Sequence, residues 1–431
     1  MPAIPTQGTT FEIVEIYPIG FEDDTSQAVD LRQGVVQFQY FEDLMSPVIT
    51  AVMQVTASGA GVYNTLPIKG GEQVKLHFTT PIELHREETG IIELEMYVNH
   101  VTDYIQEKQK ELFTLHLVSK EAIKNLNKRI IKKYKQKRID EVIIDFLDIL
   151  EADYEKDNIE QTLNKVNFIG NMRKPLTLVP GLCSRAIPVG ANSSSAGFFL
   201  WQTKSGIKFK SVEKIIENKE VVEEYVFNRK NEGGEDPEVS FQKILTYATQ
   251  QNNNVMAAQR GGEYSTYRIY FNPYTFEFTD PSQSVFKPEE QESLGTEENK
   301  ITEEANPKKI PNPEMAHRIV SGIYACGTLE EIADVNVSLA STIPNQEHVE
   351  DVGQSISRYA SIFTEVITMT VALNPYLEAG DIIKCTYPKV STEDEVDHTQ
   401  SGLYIIKEIS HYMRGNKSYS ALKVIRDTPG D

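Results

Sequence analysis

The sequence predicts an α+β, β-rich protein: two related antiparallel β-barrel domains with mixed α/β segments inserted between them. Three observations carry that expectation. Short runs with period-two apolar alternation crowd both ends of the 431-residue chain. In the middle the apolar spacing changes to three and four. One segment, a glycine and an acid leading into an alternating strand, occurs near residue 70 and again near residue 380.

The N-terminal strands come first. Phe11 to Tyr17 is rich in strand formers, Val35 to Tyr40 alternates, and Val48 to Thr56 is an apolar run stopped by Ser58-Gly59-Ala60-Gly61. Val74 to Phe78 and Leu112 to Val118 also alternate. Short strands at this spacing suit a barrel or a sandwich. His116 alternates with Leu115 and Leu117, which places it on the outer face of its strand.

The period then changes. Ile131, Tyr134, Ile139, Val142, Ile143, Phe146, Leu147 and Leu150 follow helical spacing. They predict one amphipathic helix, or two broken near Gln136. Lys120 to Arg138 holds nine basic residues and one acid, Glu121, and is read as a basic helix with a local charge of +8. Ala196 to Thr203 and Lys204 to Phe209 read as a hairpin with a Ser-Gly turn, its Phe198-Phe199-Leu200-Trp201 stretch destined for the core. Val212 to Ile216 follows as a short helix, and Val239 to Tyr247 has helical spacing. Tyr264 to Phe278 reads as an aromatic hairpin turning near Asn272-Pro273.

Residues 287–313 carry Pro288, Pro307, Pro311 and Pro313, with seven acids between Glu289 and Glu304. Such a stretch predicts an exposed loop or linker. His348 to Ile362 predicts a helix, and strands resume at Thr364. These shifts divide the chain into a first barrel (1–119), a helix plus mixed α/β domain (120–226), a small insertion with the acidic loop (227–320) and a second barrel (321–431).

Self-similarity is the most informative signal. Ile68 to Phe78 aligns without gaps on Leu377 to Tyr387, matching Gly71 with Gly380, Glu72 with Asp381, Val74 with Ile383 and Lys75 with Lys384. Glycine tolerates positive φ in a tight entry turn, and the neighbouring acid can accept a backbone N–H there. Two hairpins follow at similar separation, Met96 to Val118 and Leu403 to Ile425. Gly71, Glu72, Gly380 and Asp381 are therefore expected to form equivalent structural turns.

Several function classes are disfavoured. The net charge of −20, or −28 outside the basic stretch, opposes a whole-protein grip on nucleic acid, which runs on counterion release by Lys and Arg. The basic helix reads as a solvated face or a contact with the chain's own acid, ahead of a nucleic-acid site. No apolar run approaches the roughly 18 residues of a membrane span. MPAIPTQGTT lacks the charge and apolar pattern of a secretory signal. Cys183, Cys326 and Cys385 are odd in number and far apart, so a reducing compartment is expected. The eight histidines show no metal-ligand spacing. Ser193 to Ser195 lacks a nucleophile elbow, Cys183 has no evident base, and no phosphate loop or dinucleotide fingerprint occurs. No catalytic, cofactor-binding or metal residue is assigned, and the protein is expected not to be an enzyme.

Leu377 to Ile383, Ser401 to Ile406, His411 and Ala421 to Asp427 resemble the ending of the baseplate central-hub protein of large contractile-tailed phages. Its "aGD-I" strand, "sG-Y-I" strand, histidine and closing "RD" fall here on Gly380-Asp381, Gly402 with Tyr404, His411, and Arg426-Asp427. Ser195 to Thr203 with Gly206, Phe209 and Ser211, and the Gly70-Gly71-Glu72 strand, are also similar to that pattern. The acidic loop is not part of it. The resemblance implies a homotrimer with two related barrels per chain, giving six in a ring. It implies a symmetry adapter between a six-fold tail tube and a three-fold spike. Its partners would be the tail-spike protein and tail-tube or tube-initiator proteins. Tape-measure protein and DNA would pass through the channel, for which a net acidic chain is suited. The implied location is the virion baseplate, assembled in the host cytoplasm, without cofactors or stable membrane insertion. The alternatives are a hub component of a contractile injection or secretion system, and a tail-associated cell-wall hydrolase.

Overall fold

The structure, a computed structural model, describes residues 10–21, 24–58, 62–66, 68–79, 91–190, 196–217, 219–227, 241–252, 254–263, 266–272, 277–278, 292–296, 318–323, 349–389, 395–415 and 417–430. Its elements are β1 (Thr10–Tyr17), β2 (Val29–Asp30), β3 (Val35–Asp43), β4 (Thr50–Ser58), α1 (Val62–Thr65), β5 (Gln73–Thr79), β6 (Ile91–Glu107) and β7 (Lys110–Val118). Next come α2 (Lys120–Asn127), β8 (Lys133–Arg138), α3 (Ile139–Leu150), β9 (Lys165–Ile169), α4 (Pro175–Cys183), β10 (Phe198–Thr203), β11 (Gly206–Ser211) and α5 (Val212–Ile216). The rest are β12 (Val221–Val226), β13 (Ile244–Asn252), α6 (Val255–Gly261), β14 (Thr266–Asn272), β15 (Glu277–Phe278), β16 (Arg318–Ile323), α7 (Val349–Ser361), β17 (Glu365–Ala372), β18 (Ile382–Thr386), β19 (Gly402–Arg414) and β20 (Lys417–Arg426).

The β-rich α+β expectation holds. One 13-stranded sheet runs through both ends of the chain, in the order β13-β17-β20-β19-β3-β4-β7-β6-β5-β1-β2, with β18 on β19 and β12 on β18. Within it one strand order occurs twice. The first half reads β3-β4-β7-β6-β5-β1 and the second reads β13-β17-β20-β19-β18-β12. Only the outermost pair differs: β1 runs antiparallel to β5, whereas β12 runs parallel to β18. The likeness extends to a defect. The ladder between β6 and β7 skips Asn99, between Val98 and His100, and that between β19 and β20 skips Lys407, between Ile406 and Glu408. A bulge is a specific local kink rather than a generic strand feature.

Each half curls around its own core. Phe11, Phe38 and Phe78, from β1, β3 and β5, meet with ring centroids about 6 Å apart. In the second half Tyr247 of β13 contacts Phe227 and Tyr387, beyond the ends of β12 and β18. The two curled sheets stand where the two related barrels are expected. Among the described residues no ladder closes either one; a single parallel bridge, Val226 with Lys243, links β12 to the start of β13. The edge of β3 is instead occupied by β19, which welds the two halves together.

Alternation explains the strands. On β3, Phe38, Tyr40 and Glu42 point inward while Gln37, Gln39 and Phe41 point out. The hairpin of β10 and β11 pairs Thr203 with Gly206 around a two-residue turn. Helix α5 starts where expected because the Ser211 hydroxyl accepts the Lys214 N–H at 3.0 Å. Helix α7 lies within the expected 348–362 span. Pairing of Phe271 with Phe278 forms the aromatic hairpin, whose turn lies outside the described residues. Ser193 to Ser195, Cys326, His85, His317, His348 and all of 287–313 except 292–296 also lie outside them.

Two readings are overturned. The stretch 120–138 is not one basic helix: α2 ends at Asn127, and Lys133–Arg138 is a strand paired with β9. Gln136 adopts φ +55° at a register shift of that strand, and α3 begins only at Ile139. Lysines tolerate either state at an exposed site, so the pairing with β9 decides. The helical spacing of Val239 to Tyr247 also fails from Ile244 on, because Ile244 to Asn252 pairs with β17 as an edge strand; Val239 and Ser240 lie outside the described residues.

Candidate functional site

Both glycine-acid turns sit at the entry of a strand, β5 in one half and β18 in the other. Gly71 has φ +101° and Gly380 φ +93°, a region that favours glycine. Gly71 donates its N–H to the Val98 carbonyl at 2.7 Å, and Val98 donates to the Glu72 carbonyl at 2.9 Å. Gly380 donates to Ile406 at 2.8 Å, and Ile406 donates to Asp381 at 2.9 Å. The carboxylate of Glu72 accepts the Lys69 N–H at 2.7 Å, and that of Asp381 accepts the Glu378 N–H at 2.8 Å. The two acids thus staple the same position, three residues upstream.

What surrounds the turns differs. At the second one, the β10–β11 hairpin lays Trp201 over Gly380, and its indole N–H donates to the Ala379 carbonyl at 2.7 Å. A Cβ on Gly380 would fall 2.8 Å from that ring. Glu42 reaches across from β3, accepting the N–H of Ala379 at 2.9 Å and of Lys204 at 2.8 Å, with the Tyr40 hydroxyl at 2.5 Å. Glu378 accepts from Lys208 Nζ at 2.6 Å and Ser205 Oγ at 2.7 Å. First half, hairpin and second half are therefore tied into one buried polar junction.

Its electrostatics follow from dryness. Burial, reinforced by the Glu378 carboxylate, pushes Glu42 up to about 7. Burial alone would raise Glu378 as well, but the Lys208 and Lys204 ammonium groups overcome it and hold Glu378 below the usual carboxylate range. Burial pushes Asp381 up to about 6. His411 is fully buried, shares a 2.9 Å contact between Nδ1 and Ser420 Oγ, and lies parallel to the Tyr40 ring. Burial, with the Lys204 charge nearby, lowers its pKa to about 3.

The remaining motif residues form a second buried group. Arg426 donates from Nε to Glu365, from Nη1 to Ser401 O at 3.1 Å and from Nη2 to Thr399 O at 2.5 Å. Its guanidinium lies 4.6 Å from the centre of the Tyr404 ring. Gly402, at φ +134°, pairs with Cys385 where β19 begins. Asp427 accepts from Arg358 Nη1 at 2.8 Å and from the Leu294 N–H at 3.0 Å. Arg358 is 2% exposed and also lies 2.9 Å from Glu213. Gly380, Asp381 and His411 thus belong to the junction, while Gly402, Tyr404, Arg426 and Asp427 belong to a second buried group at the start of β19 and the end of β20. Gly71 and Glu72 stand apart from both.

Sequence reasoning missed Glu42, Lys204, Lys208, Glu378 and Arg358. One signal was present: Glu42 continues the inward register of Phe38 and Tyr40, and a carboxylate at a core position demands buried donors. Among the described residues no group of three or more His, Cys, Asp or Glu side chains is placed to hold a metal ion. No described helix is long and apolar enough to cross a membrane.

No family model matches the sequence, and no curated protein matches it. Solved structures do. The 43 kDa tail protein of prophage MuSo2 from Shewanella oneidensis superposes with a TM-score of 0.51 at 9% identity, covering 96% of this chain and 98% of that one. The tail protein from Neisseria meningitidis MC58 gives 0.51 at 10% identity, covering 97% of each chain. The chain has the fold of phage tail proteins. At this identity the likeness is one of architecture, running nearly end to end, insertions included.

Proposed function

We propose that this chain is a central-hub protein of a contractile-tail baseplate, a homotrimer that adapts the six-fold symmetry of a tail tube to the three-fold symmetry of a spike. The doubled strand order, with its repeated bulge and repeated turn hydrogen bonds, carries the reading. Three chains with two like modules each offer six near-equivalent docking positions to a six-fold partner and three identical ones to a three-fold partner. In this reading residues 1–119 and 321–431 supply the modules, the second completed by β12 and β13 from the segments between, and the rest of 120–226 and 227–320 are insertions that brace them. The glycine-acid turns set equivalent corners.

The outward sheet face supports a passage. Around β3, β19, β20, β17 and β13 it forms a concave groove of about 730 Å³. Phe41, Thr246, Thr368, Thr370 and Ser410 contribute to it. Its charged lining residues are Glu42, Asp43, Glu408 and Lys423; Lys423 lies 3.3 Å from Glu408, and Lys407, which is not part of the lining, lies 3.3 Å from Asp43. A lining without an unpaired cation retains neither DNA nor an acidic protein. The pairing of the lining's one cation, with the chain's net acidity, suits this face to DNA and tape-measure passage.

The deciding experiment is the mass in solution by light scattering, with and without a candidate spike protein. A trimer is expected, at least when the spike is present. A monomer in both conditions overturns the hub reading.

A further inference from the structure

Building on the ring proposed above, we infer that neighbouring copies join through two particular strand edges, the distal part of β6 on one copy and β13 on the next. The internal weld shows the geometry. From Gly402 to Ile405, β19 pairs with β18; past its Lys407 bulge the same strand turns to β3, with Glu408 to Met413 against Asp43 to Phe38. Strand β6 repeats the first part. It pairs with β5 from Ile91 to Tyr97 and carries the matching bulge at Asn99. Beyond that bulge its corresponding edge has no ladder among the described residues. Strand β13 is the counterpart of β3, and its outer edge ends the sheet, with one bridge at Lys243 before it.

Each chain therefore makes the weld once internally and leaves its other two halves open. A closed three-fold ring requires a contact between two different, complementary patches of the same chain. The distal β6 edge and the outer β13 edge, neither of which carries a ladder among the described residues, are such a pair, and exposed strand edges are intrinsically adhesive. The register follows by equivalence of rungs. Tyr412 pairs with Tyr419 as Ile105 pairs with Leu112, and Gln39 pairs with Val52 as Ala248 pairs with Thr368. Since Tyr412 lies opposite Gln39 within the chain, Ile105 lies opposite Ala248 of the neighbouring copy. Ile105 is 52% exposed in the single chain, and Ala248 is exposed beside it in chemistry: a large apolar side chain against a small one.

An apolar contact flanks the weld and is likewise left half-made. Directly after β3, Leu44 is buried with Trp201 and Ala379 beside the Gly380 turn. By the same rungs the position equivalent to Leu44 is Asn254, and the two residues after it, Val255 and Met256, are 39% and 63% exposed. The equivalent turn at Gly71 has Ile19 beside it, 57% exposed, and Phe21, two residues further along the chain, is 50% exposed. In the ring, Val255 and Met256 of one copy cover Ile19 and Phe21 of the next. Burial of such side chains is the driving force that strand pairing alone lacks.

The test uses the full chain in a Cys326→Ser background, leaving only the buried Cys183 and Cys385. Ile105→Cys combined with Ala248→Cys, oxidised with diamide, is expected to give covalent dimers and trimers on a non-reducing gel, and either substitution alone to give none. Ile105→Lys is expected to raise the trimer dissociation constant at least tenfold while leaving the monomer's melting temperature unchanged. A wild-type trimer that neither cross-links in the double-cysteine form nor weakens with Ile105→Lys overturns this edge and leaves the hub reading standing. A wild-type chain that stays monomeric with and without spike overturns both.

Discussion

The two glycine-acid turns share a backbone and differ in everything laid on top of it. At Gly71 and at Gly380 the same N–H and carbonyl groups pair, and the acid returns to the same upstream N–H. Yet a Cβ at Gly71 would meet only Ile19 Cδ1 at 3.7 Å, an ordinary contact. At Gly380 the space belongs to Trp201. The first turn is a local device. The second is also the floor of a tertiary contact, on which the hairpin and the Glu42 junction rest. The repeated strand order has two equal corners, and the β10–β11 hairpin packs on only one of them.

The sharpest break of this comparison is Trp201→Ala. The ring is 2% exposed and its N–H is engaged, so its loss should cost about 3–5 kcal/mol, read by thermal or denaturant unfolding. A loss under roughly 1 kcal/mol would show that the hairpin does not brace the second turn. Next come Gly71→Ala and Gly380→Ala. Both incur the left-handed penalty of about 1–2 kcal/mol. Only Gly380→Ala also collides with a buried ring, which adds about 1–3 kcal/mol. In a Trp201→Ala background that extra term should vanish, a coupling that a double-mutant cycle measures directly.

Acid sensitivity should belong to the second half. Burial keeps His411 neutral down to about 3, whereas in the unfolded chain it takes up a proton near 6.5. The unfolded state therefore binds the proton first, and this contribution is intact above pH 6.5 and is lost as pH falls toward 3. The slope is at most about 1.4 kcal/mol per pH unit. His411→Asn should flatten that limb of the stability profile; an unchanged slope would mean that His411 is not the group responsible. The smallest effect is expected from neutralising the acids. Glu72→Gln removes one of the acceptors serving Lys69 and Gly70, a cost of about 1 kcal/mol. Asp381→Asn should cost less, since burial already pushes Asp381 up to about 6. Equal losses in urea titrations would erase the distinction between the corners.

Much of the architecture was legible because it is local. Alternation in Val35 to Tyr40, Leu112 to Val118 and Phe198 to Thr203 reports which side chains face a core, whatever that core is. The turn chemistry at Gly71-Glu72 and Gly380-Asp381 lies within a few residues of chain, so both copies were recognisable side by side. Lys133 to Arg138 was not, because Ile131 and Tyr134 happen to fall at helical spacing while their strand partner, β9, lies about thirty residues on. Ile244 to Asn252 misled for a related reason: as an edge strand with a polar face, it owes its state to β17 across the ladder. At the candidate site, Gly380, Asp381 and His411 were marked by motif, but Lys204, Lys208 and Glu378 only became a cluster when the hairpin docked.

By itself, then, the sequence determined the alternating strands, the paired turns and the fact of a repeat, all of which depend on side-chain alternation and on glycine's tolerance of positive φ, but not the strands Lys133–Arg138 and Ile244–Asn252. Only the tertiary structure decided that β19 leaves β18 for β3 after its bulge, that Trp201 covers one turn and not the other, and that Glu42 is solvated by N–H donors instead of water. Backbone hydrogen bonds are the same for every strand pair, so no local pattern names the partner. That choice is made by burial and geometry summed over the whole chain.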